Sequence, residues 1–431
     1  MMRHLFALIL SLAGGAVLAQ SPSPVRFVDY LEAVEQHSLD LAAQREGITA
    51  ARAGVSIAGS APDPSLSYGL GPKEFSREVN PKPRLSQSLS LSWTVETAGK
   101  RDRRIQAARS TVTLTEANVE GFKRGLYSTA ASAFAEACRT RDALARQEST
   151  LKALADVVRA NELRRKAGDV GGLELLQSRT ERDQYQAAVV KARADALAAR
   201  LNLAVPLGGR FGEVFGERDL DCDFQAFAPG DDVGVLVQEA QRERDDVLIA
   251  RAALTNAQDN ASLARANRYV DPSVSLSYGY SPHGRSSFDG DGNPVDGSPR
   301  SNTVSLSVSV PIPLSRLQQG ELIQAQSAVT QAMLGLRQAE LRTEADVLVT
   351  HAQFMAAREN LERYRDSVLA DSQKMLEGMR LSYRHGAASL LELLAAQRSA
   401  DDAYLAYLQA KADLASATVQ LQLSTGRKPR L

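Results

Sequence analysis

Four short segments of this chain alternate between small hydroxyl and larger apolar side chains. From Ser65 to Gly71 the larger positions are Leu66, Tyr68 and Leu70. From Ser86 to Val95, Leu89, Leu91, Trp93 and Val95 alternate with Ser86, Ser88, Ser90, Ser92 and Thr94. Further on, Val274, Leu276, Tyr278 and Tyr280 oppose Ser273, Ser275, Ser277 and Gly279. The last segment sets Val304, Leu306, Val308, Val310 and Ile312 against Ser305, Ser307 and Ser309. A period of two is the mark of a β-strand, because successive side chains leave opposite faces. The pattern predicts strands at about 62–72, 85–96, 272–282 and 302–313. Each is about 10 residues, the length a tilted strand needs to cross a bilayer.

A sheet lying on a soluble core would also alternate. Two features favour a lipid-facing sheet. The polar faces are almost wholly Ser, with few of the Lys and Glu that a solvent face carries. Trp93 stands near a strand end, and Tyr68, Tyr278 and Tyr280 lie on apolar faces, as in the aromatic girdles of membrane barrels. Ser88, Ser90, Ser92, Ser275, Ser277, Ser305, Ser307 and Ser309 are then expected to face a wet lumen. Four strands cannot close a barrel, since bacterial ones begin at about eight. Open edges are not tolerated in hydrocarbon. The strands must be pooled between subunits, and three chains would supply twelve, although this argument does not fix the number at three.

Between the strands the periodicity lengthens. Thr97 to Ala167 is rich in Ala, Leu, Glu, Arg and Gln and contains no proline, and Leu314 to His385 is alike. A helix of about 70 residues would run roughly 105 Å, with a break expected partway. Such lengths suggest coiled-coil or tube architecture. The last helix carries Leu405, Leu408, Ala412, Ala415 and Val419 at spacings of three and four, and Ala187, Val190, Ala194, Leu197 and Leu201 form the equivalent seam in the first half. Other segments also recur. Asp63-Pro64-Ser65 returns as Asp271-Pro272-Ser273 at an offset of 208 residues, and Gly168-Asp169-Val170-Gly171-Gly172-Leu173-Glu174-Leu175-Leu176 returns as Gly386 to Leu394 at an offset of 218. The chain reads as a tandem repeat, residues 20–218 and 219–431, each half running helix, strand, loop, strand and two long helical stretches.

Arg3, the apolar run Leu5 to Leu12 and Ala16-Val17-Leu18-Ala19 read as an export signal over residues 1–19. Gln20 follows the expected cut, so a lipid-accepting Cys is not supported there. Charge is balanced, with 51 basic and 51 acidic residues, which excludes holding nucleic acid through an overall basic field. Two cysteines, Cys138 and Cys222, exclude a disulfide scaffold; in an oxidising compartment they could pair, and the sequence leaves that open. His37, His283, His351 and His385 are scattered without ligand spacing. Asp289-Gly290-Asp291-Gly292-Asn293 opens like a calcium loop, but Pro294 and Arg300 stand where Gly and Glu are needed, so 283–300 reads as a hairpin loop. No nucleophile, phosphate loop or acid–base pair emerges, and no enzyme or cofactor is expected.

With these features assembled, the chain resembles the TolC-type outer-membrane efflux family over nearly its whole mature length. The residues that carry the resemblance are the Asp63-Pro64-Ser65 run, the duplicated strand pairs, and the tips Gly168 and Gly386, each followed by Leu-Glu-Leu-Leu. The resemblance implies a mainly α protomer with a β-barrel part: a homotrimer whose twelve-stranded barrel spans the outer membrane and continues as a long α-helical tunnel. It also implies a passive exit duct working with a periplasmic adaptor and an inner-membrane, proton-driven pump of the RND type. Trp93-Thr94-Val95-Glu96-Thr97-Ala98-Gly99-Lys100-Arg101 is similar to the matching segment of cobalt-zinc-cadmium exporters, which implies heavy-metal cations as cargo, with drugs or other small organic molecules as the alternative. A periplasmic coiled-coil scaffold could use the same helices, yet it would have no need of a hydroxyl face opposite an apolar one.

The resemblance implies adaptor docking at Gly168, Val170, Gly171, Gly172, Leu173 and Gly386, where glycine in any case suits a helical-hairpin turn. It also implies acidic gate residues at Glu392 and Glu174, although Ala395 stands where a second gate carboxylate is expected. A carboxylate at a helix start, favoured by the dipole, would account for both glutamates without a gate. Lys100, Arg101, Arg103 and Arg104 oppose the dipole of the helix they open, so another demand holds them: lipid headgroups at the barrel rim, or simple solvation.

Overall fold

A computed structural model describes residues 23–71, 85–224, 227, 232–283, 287–297, 299–313 and 319–431. The expected export signal at 1–19 lies outside the described residues. Helices α1 (Phe27–His37) and α2 (Leu39–Gly59) lead to strands β1 (Ser65–Leu70) and β2 (Gln87–Thr94). Helix α3 (Lys100–Ala167) then runs 68 residues unbroken, about 102 Å of rise, and α4 (Gly172–Asn202) returns beside it. Short helices α5 (Ala204–Leu207) and α6 (Phe211–Phe215) precede the second half. That half opens with α7 (Val233–Glu243) and α8 (Asp245–Ala266), followed by β3 (Ser273–Ser281), the small hairpin β4 (Ser287–Phe288) and β5 (Pro294–Val295), and β6 (Ser301–Ser309). It closes with α9 (Gln319–Arg363), α10 (Leu369–Arg384) and α11 (Leu390–Ser424). The expected break in the long helix is present only here, as a wide π-turn at Tyr364–Val368 between α9 and α10.

All four expected strands form, each shorter than the span expected for it. The last stops at Ser309 because Pro311 and Pro313 have no N–H to donate to a ladder. The strands make one antiparallel sheet in the order β1-β2-β3-β6. Its register aligns like with like. Ser67, Ser90, Ser277 and Ser305 form one row, and Ser65, Ser92, Ser275 and Ser307 a second. On the opposite face run Leu66, Leu91, Leu276, Leu306 and, beside them, Tyr68, Leu89, Tyr278, Val304. A slip of one residue would exchange the two faces, so register and facing are set together.

The largest core lies where α1, α3, α5 and the end of α11 meet. Phe27, Tyr30 and Leu31 pack on Phe134, Leu203 and Leu207, with Phe27 and Phe134 edge to face at 5.5 Å. The buried Tyr30 hydroxyl is satisfied by donating to Leu203 O at 2.9 Å. Cys138 of α3 and Cys222 of the segment joining the halves are disulfide-bonded, their Cα atoms 5.6 Å apart. Beside them, Val25 and Leu220 form a parallel bridge, so the start of the first half is stitched to the linker. Among the described residues no helix is long and apolar enough to cross a membrane.

Candidate channel surfaces, strand–helix junction and helical tips

Among the described residues nothing covers the apolar face of the sheet. Leu66 is 70% exposed, Val304 73% and Leu306 68%. Sidedness of this kind suits hydrocarbon on that face. On the other face the hydroxyls bond to one another across strands: Ser65 with Ser92 at 3.2 Å, Ser275 with Ser307 at 2.7 Å, Ser277 with Ser305 at 2.8 Å. A serine bonded to its neighbour still has an acceptor lone pair for water. Among the described residues, strands β1 and β6 are each paired on one side only. In hydrocarbon their free edges require strands from further copies.

The basic run after β2 corrects both sequence readings, because most of it is committed inside the protein. Gly99 takes a left-handed conformation, φ 65°, and turns the chain from strand into α3. Lys100 is thereby buried. Its Nζ donates to Asp271 Oδ2 at 2.6 Å and to Tyr269 O at 2.5 Å. Asp271 also accepts from the Thr97 N–H at 2.8 Å. Burial pushes the Asp271 carboxyl up, but the bonds from Lys100 and Thr97 outweigh it and hold it below its ordinary value. Arg101 donates to Gly59 O at 2.7 Å, and Arg104 to Ser60 O at 3.0 Å as well as to Glu96. These cations therefore sit against the carbonyl end of α2, where positive charge is favourable. That contact is the demand that places them at the start of α3. Only Arg103 remains an exposed cation without an assigned contact.

At the first tip Gly168, φ 86°, ends α3, and its N–H and that of Asp169 donate to Arg165 O and Arg164 O. Gly171 precedes α4, and Leu173 is largely exposed while Val170 is half-buried. Gly386, φ 75°, makes the equivalent second turn. Glu392 lies in a capping box: its Oε2 accepts from Ser389 N at 2.7 Å and Ser389 Oγ at 2.9 Å. The Ser389 N–H, then its hydroxyl, hold this exposed carboxyl below its ordinary range. Glu174 is placed differently. Tyr383 Oη stands 2.9 Å from Glu174 Oε1 and 2.7 Å from the amide oxygen of the fully buried Asn161. One hydroxyl hydrogen cannot serve two acceptors, and Asn161 Nδ2 has no partner. Turning the amide by half a rotation resolves both: Asn161 donates to Tyr383, which donates to Glu174. Glu174 thus ties α4 to α10 and α3, and no hydrogen bond joins it to Glu392.

A polar cluster that sequence reasoning missed lies farther along the same helices. Asp401 of α11 is buried and accepts from Arg146 at 2.9 Å, Thr150 at 2.8 Å, Tyr185 at 3.2 Å and Gln397 at 3.2 Å. Arg380 reaches Gln397 Oε1 at 2.7 Å, and Arg398 clasps Glu181. One carboxylate therefore joins α3, α4 and α11, and Gln397 extends the tie to α10. Elsewhere, the described part of 283–300 includes the small β4–β5 hairpin. There Asp289 Oδ1 accepts from Asn293 N at 2.7 Å and Asp291 N at 3.0 Å, an ordinary side-chain-closed turn. Among the described residues no group of three or more His, Cys, Asp or Glu could hold a metal ion.

A profile of the outer membrane efflux protein family matches residues 30–209 and 236–427. The chain belongs to that family. It is 21% identical over 389 residues, 90% of this chain and 87% of the other, to the cobalt-zinc-cadmium resistance protein CzcC of Cupriavidus metallidurans. In fold it is similar to CusC, with a TM-score of 0.74, 19% identity and 96% of each chain covered. It is similar also to the outer-membrane channel OprN, with a TM-score of 0.73, 22% identity, and 93% of this chain and 90% of that one covered. This efflux protein is thus an outer-membrane channel extending into the periplasm, and it is not an enzyme. Proteins of the family are trimers that work with adaptor proteins and inner-membrane pumps.

Proposed function

We propose that this efflux protein is the exit duct of a tripartite exporter of heavy-metal cations. The observation that carries the duct reading is the register, which puts a Ser face opposite an exposed apolar face across all four strands. The metal reading is supported by likeness to CzcC over 90% of the chain. The fold itself does not favour a cargo, since CusC and OprN match equally well.

In this reading the duct adds no energy. A proton-driven pump of the RND type loads substrate, an adaptor seals the joint, and hydroxyl rows let hydrated ions pass without stripping their water. The tips around Gly168, Val170, Gly171, Gly172, Leu173 and Gly386 offer exposed turns for the adaptor. Three copies of Glu392 would ring the narrow end with negative charge and draw cations towards it. Glu174 takes a lesser part, because Tyr383 holds its carboxylate. Deletion of the gene should sensitise cells to cobalt, zinc and cadmium and leave resistance to organic drugs unchanged; the converse pattern would overturn the metal assignment. In planar bilayers the purified trimer should conduct, with cation selectivity reduced in Glu392→Ala. Unchanged selectivity would remove Glu392 from the gate.

A further inference from the structure

Two arginines near the junction of the halves are bound on one side only. Arg244, between α7 and α8, has a side chain only 8% exposed. Its Nη2 donates to Asp246 Oδ2 at 2.8 Å and to Asp346 Oδ2 at 2.6 Å, while its Nε and Nη1 are buried with no partner. Arg124 of α3 donates through Nη2 to the other oxygen of Asp246 at 2.5 Å, and its Nη1 is likewise buried and unpartnered. Asp246 therefore works as a spacer. Each of its oxygens holds one guanidinium, and the pair stands side by side with donors to spare. Both line a cavity of about 310 Å³ that also receives Ser128, Thr350, Gln420 and Ser424. Asp346 borders it too, but its side chain is 52% exposed, so solvent screens much of its charge.

Buried guanidinium donors without acceptors are costly, and a planar fork matches an oxyanion better than a spherical ion. We propose that Arg124 and Arg244 bind a small soluble oxyanion of the phosphate class, with the Ser128 hydroxyl as a further donor. Arg124 lies 24 residues along α3 from Lys100, roughly 36 Å from the strand–helix junction, which puts a lipid headgroup out of reach. The bound ion would bridge a helix of the first half to the start of α8 in the second. It would thereby rigidify the region where the halves meet.

The test is equilibrium dialysis of the full-length trimer in detergent against radiolabelled inorganic phosphate, at constant ionic strength set with chloride. The expected result is saturable binding of one phosphate per chain, displaced by sulfate and left in place by vesicles of phosphatidylglycerol. Arg244→Gln and Arg124→Gln should each weaken it about tenfold or more, while Arg159→Gln, an exposed control on α3, should not. Absence of saturable binding to the wild-type trimer would overturn the proposal, whatever the variants do. So would unaltered affinity in both variants when they still run as trimers, or displacement by the vesicles, which would mark a lipid site.

Discussion

The facing of the sheet predicts opposite fates for charges placed one residue apart. Leu306 sits in the apolar row with Leu66, Leu91 and Leu276, and Ser305 in the hydroxyl row with Ser67, Ser90 and Ser277. An arginine on the lipid face near mid-membrane costs about 2–4 kcal/mol, which is about 30- to 800-fold in the folding equilibrium of each chain. The trimer carries the change three times. Leu306→Arg should therefore fall out of the outer-membrane fraction and lose the SDS-resistant trimer band. In the proposed duct, Ser305→Arg projects into the wet lumen, where solvation persists. It should assemble at wild-type levels and lower cation conductance in planar bilayers through added positive charge. The comparison controls for strand propensity, because both residues are on β6 and both receive the same side chain. Normal assembly of Leu306→Arg together with failure of Ser305→Arg would refute the assigned facing, and equal tolerance of both would refute a membrane position for the sheet.

Four further outcomes follow from buried pairs. Lys100→Met leaves the Asp271 carboxylate without its cation and should cost about 3 kcal/mol in urea unfolding, most of it recovered in Lys100→Met/Asp271→Asn; equal loss in both would show that the pair contributes packing alone. Because the Asp271 carboxyl is held below its ordinary 3.8, its contribution is complete above that pH and lost as pH falls through the lower folded value, so the wild type should show an acid-side loss that Asp271→Asn lacks. Reducing the Cys138–Cys222 bond, which closes a separation of 84 residues, should lower stability by about 4 kcal/mol, read as a drop in the urea midpoint with reductant that the double Ser variant does not repeat. Asp401→Asn should cost about 3 kcal/mol by leaving Arg146 without its carboxylate, and should expose the basic residues near Gly168 to limited trypsin digestion, whereas protection equal to the wild type would show that the cluster does not hold the hairpins together.

What the sequence disclosed and what it withheld divide by the range of the contacts. Strand alternation, helix length and tip glycines are local patterns, and all of them reappear at their expected places. Alternation shows which side chains share a face, but a shift of two residues would keep Ser rows with Ser rows, so the register itself came from the fold. By contrast, Asp401 is 251 residues from Thr150 and reads in α11 as one more solvent-facing acid. The Cys138–Cys222 bond was undecidable because spacing alone never shows which elements meet. Glu174 and Glu392 look equivalent by repeat position. Tertiary neighbours separate them, for Tyr383 reaches the first and only Ser389 the second.

The strand–helix junction bears on how cargo should be sought. The Trp93–Arg101 segment supplied the likeness to metal exporters, yet its described contacts are with the protein itself. Trp93 packs in register with Val274 and Val308, Thr97 and Lys100 hold Asp271, and Arg101 holds the carbonyl end of α2. Ala98, the only non-glycine with positive φ among the described residues, and Gly99 make the turn that redirects the chain from sheet to helix. Each of these demands arises in any channel that must join a barrel strand to a helical tunnel, whatever passes through. A shared segment here reports shared descent of a joint. Discrimination among ions must then reside in groups that face the lumen or the pump. On this chain the first candidate is the proposed gate residue Glu392, whose exposed carboxylate caps its own helix.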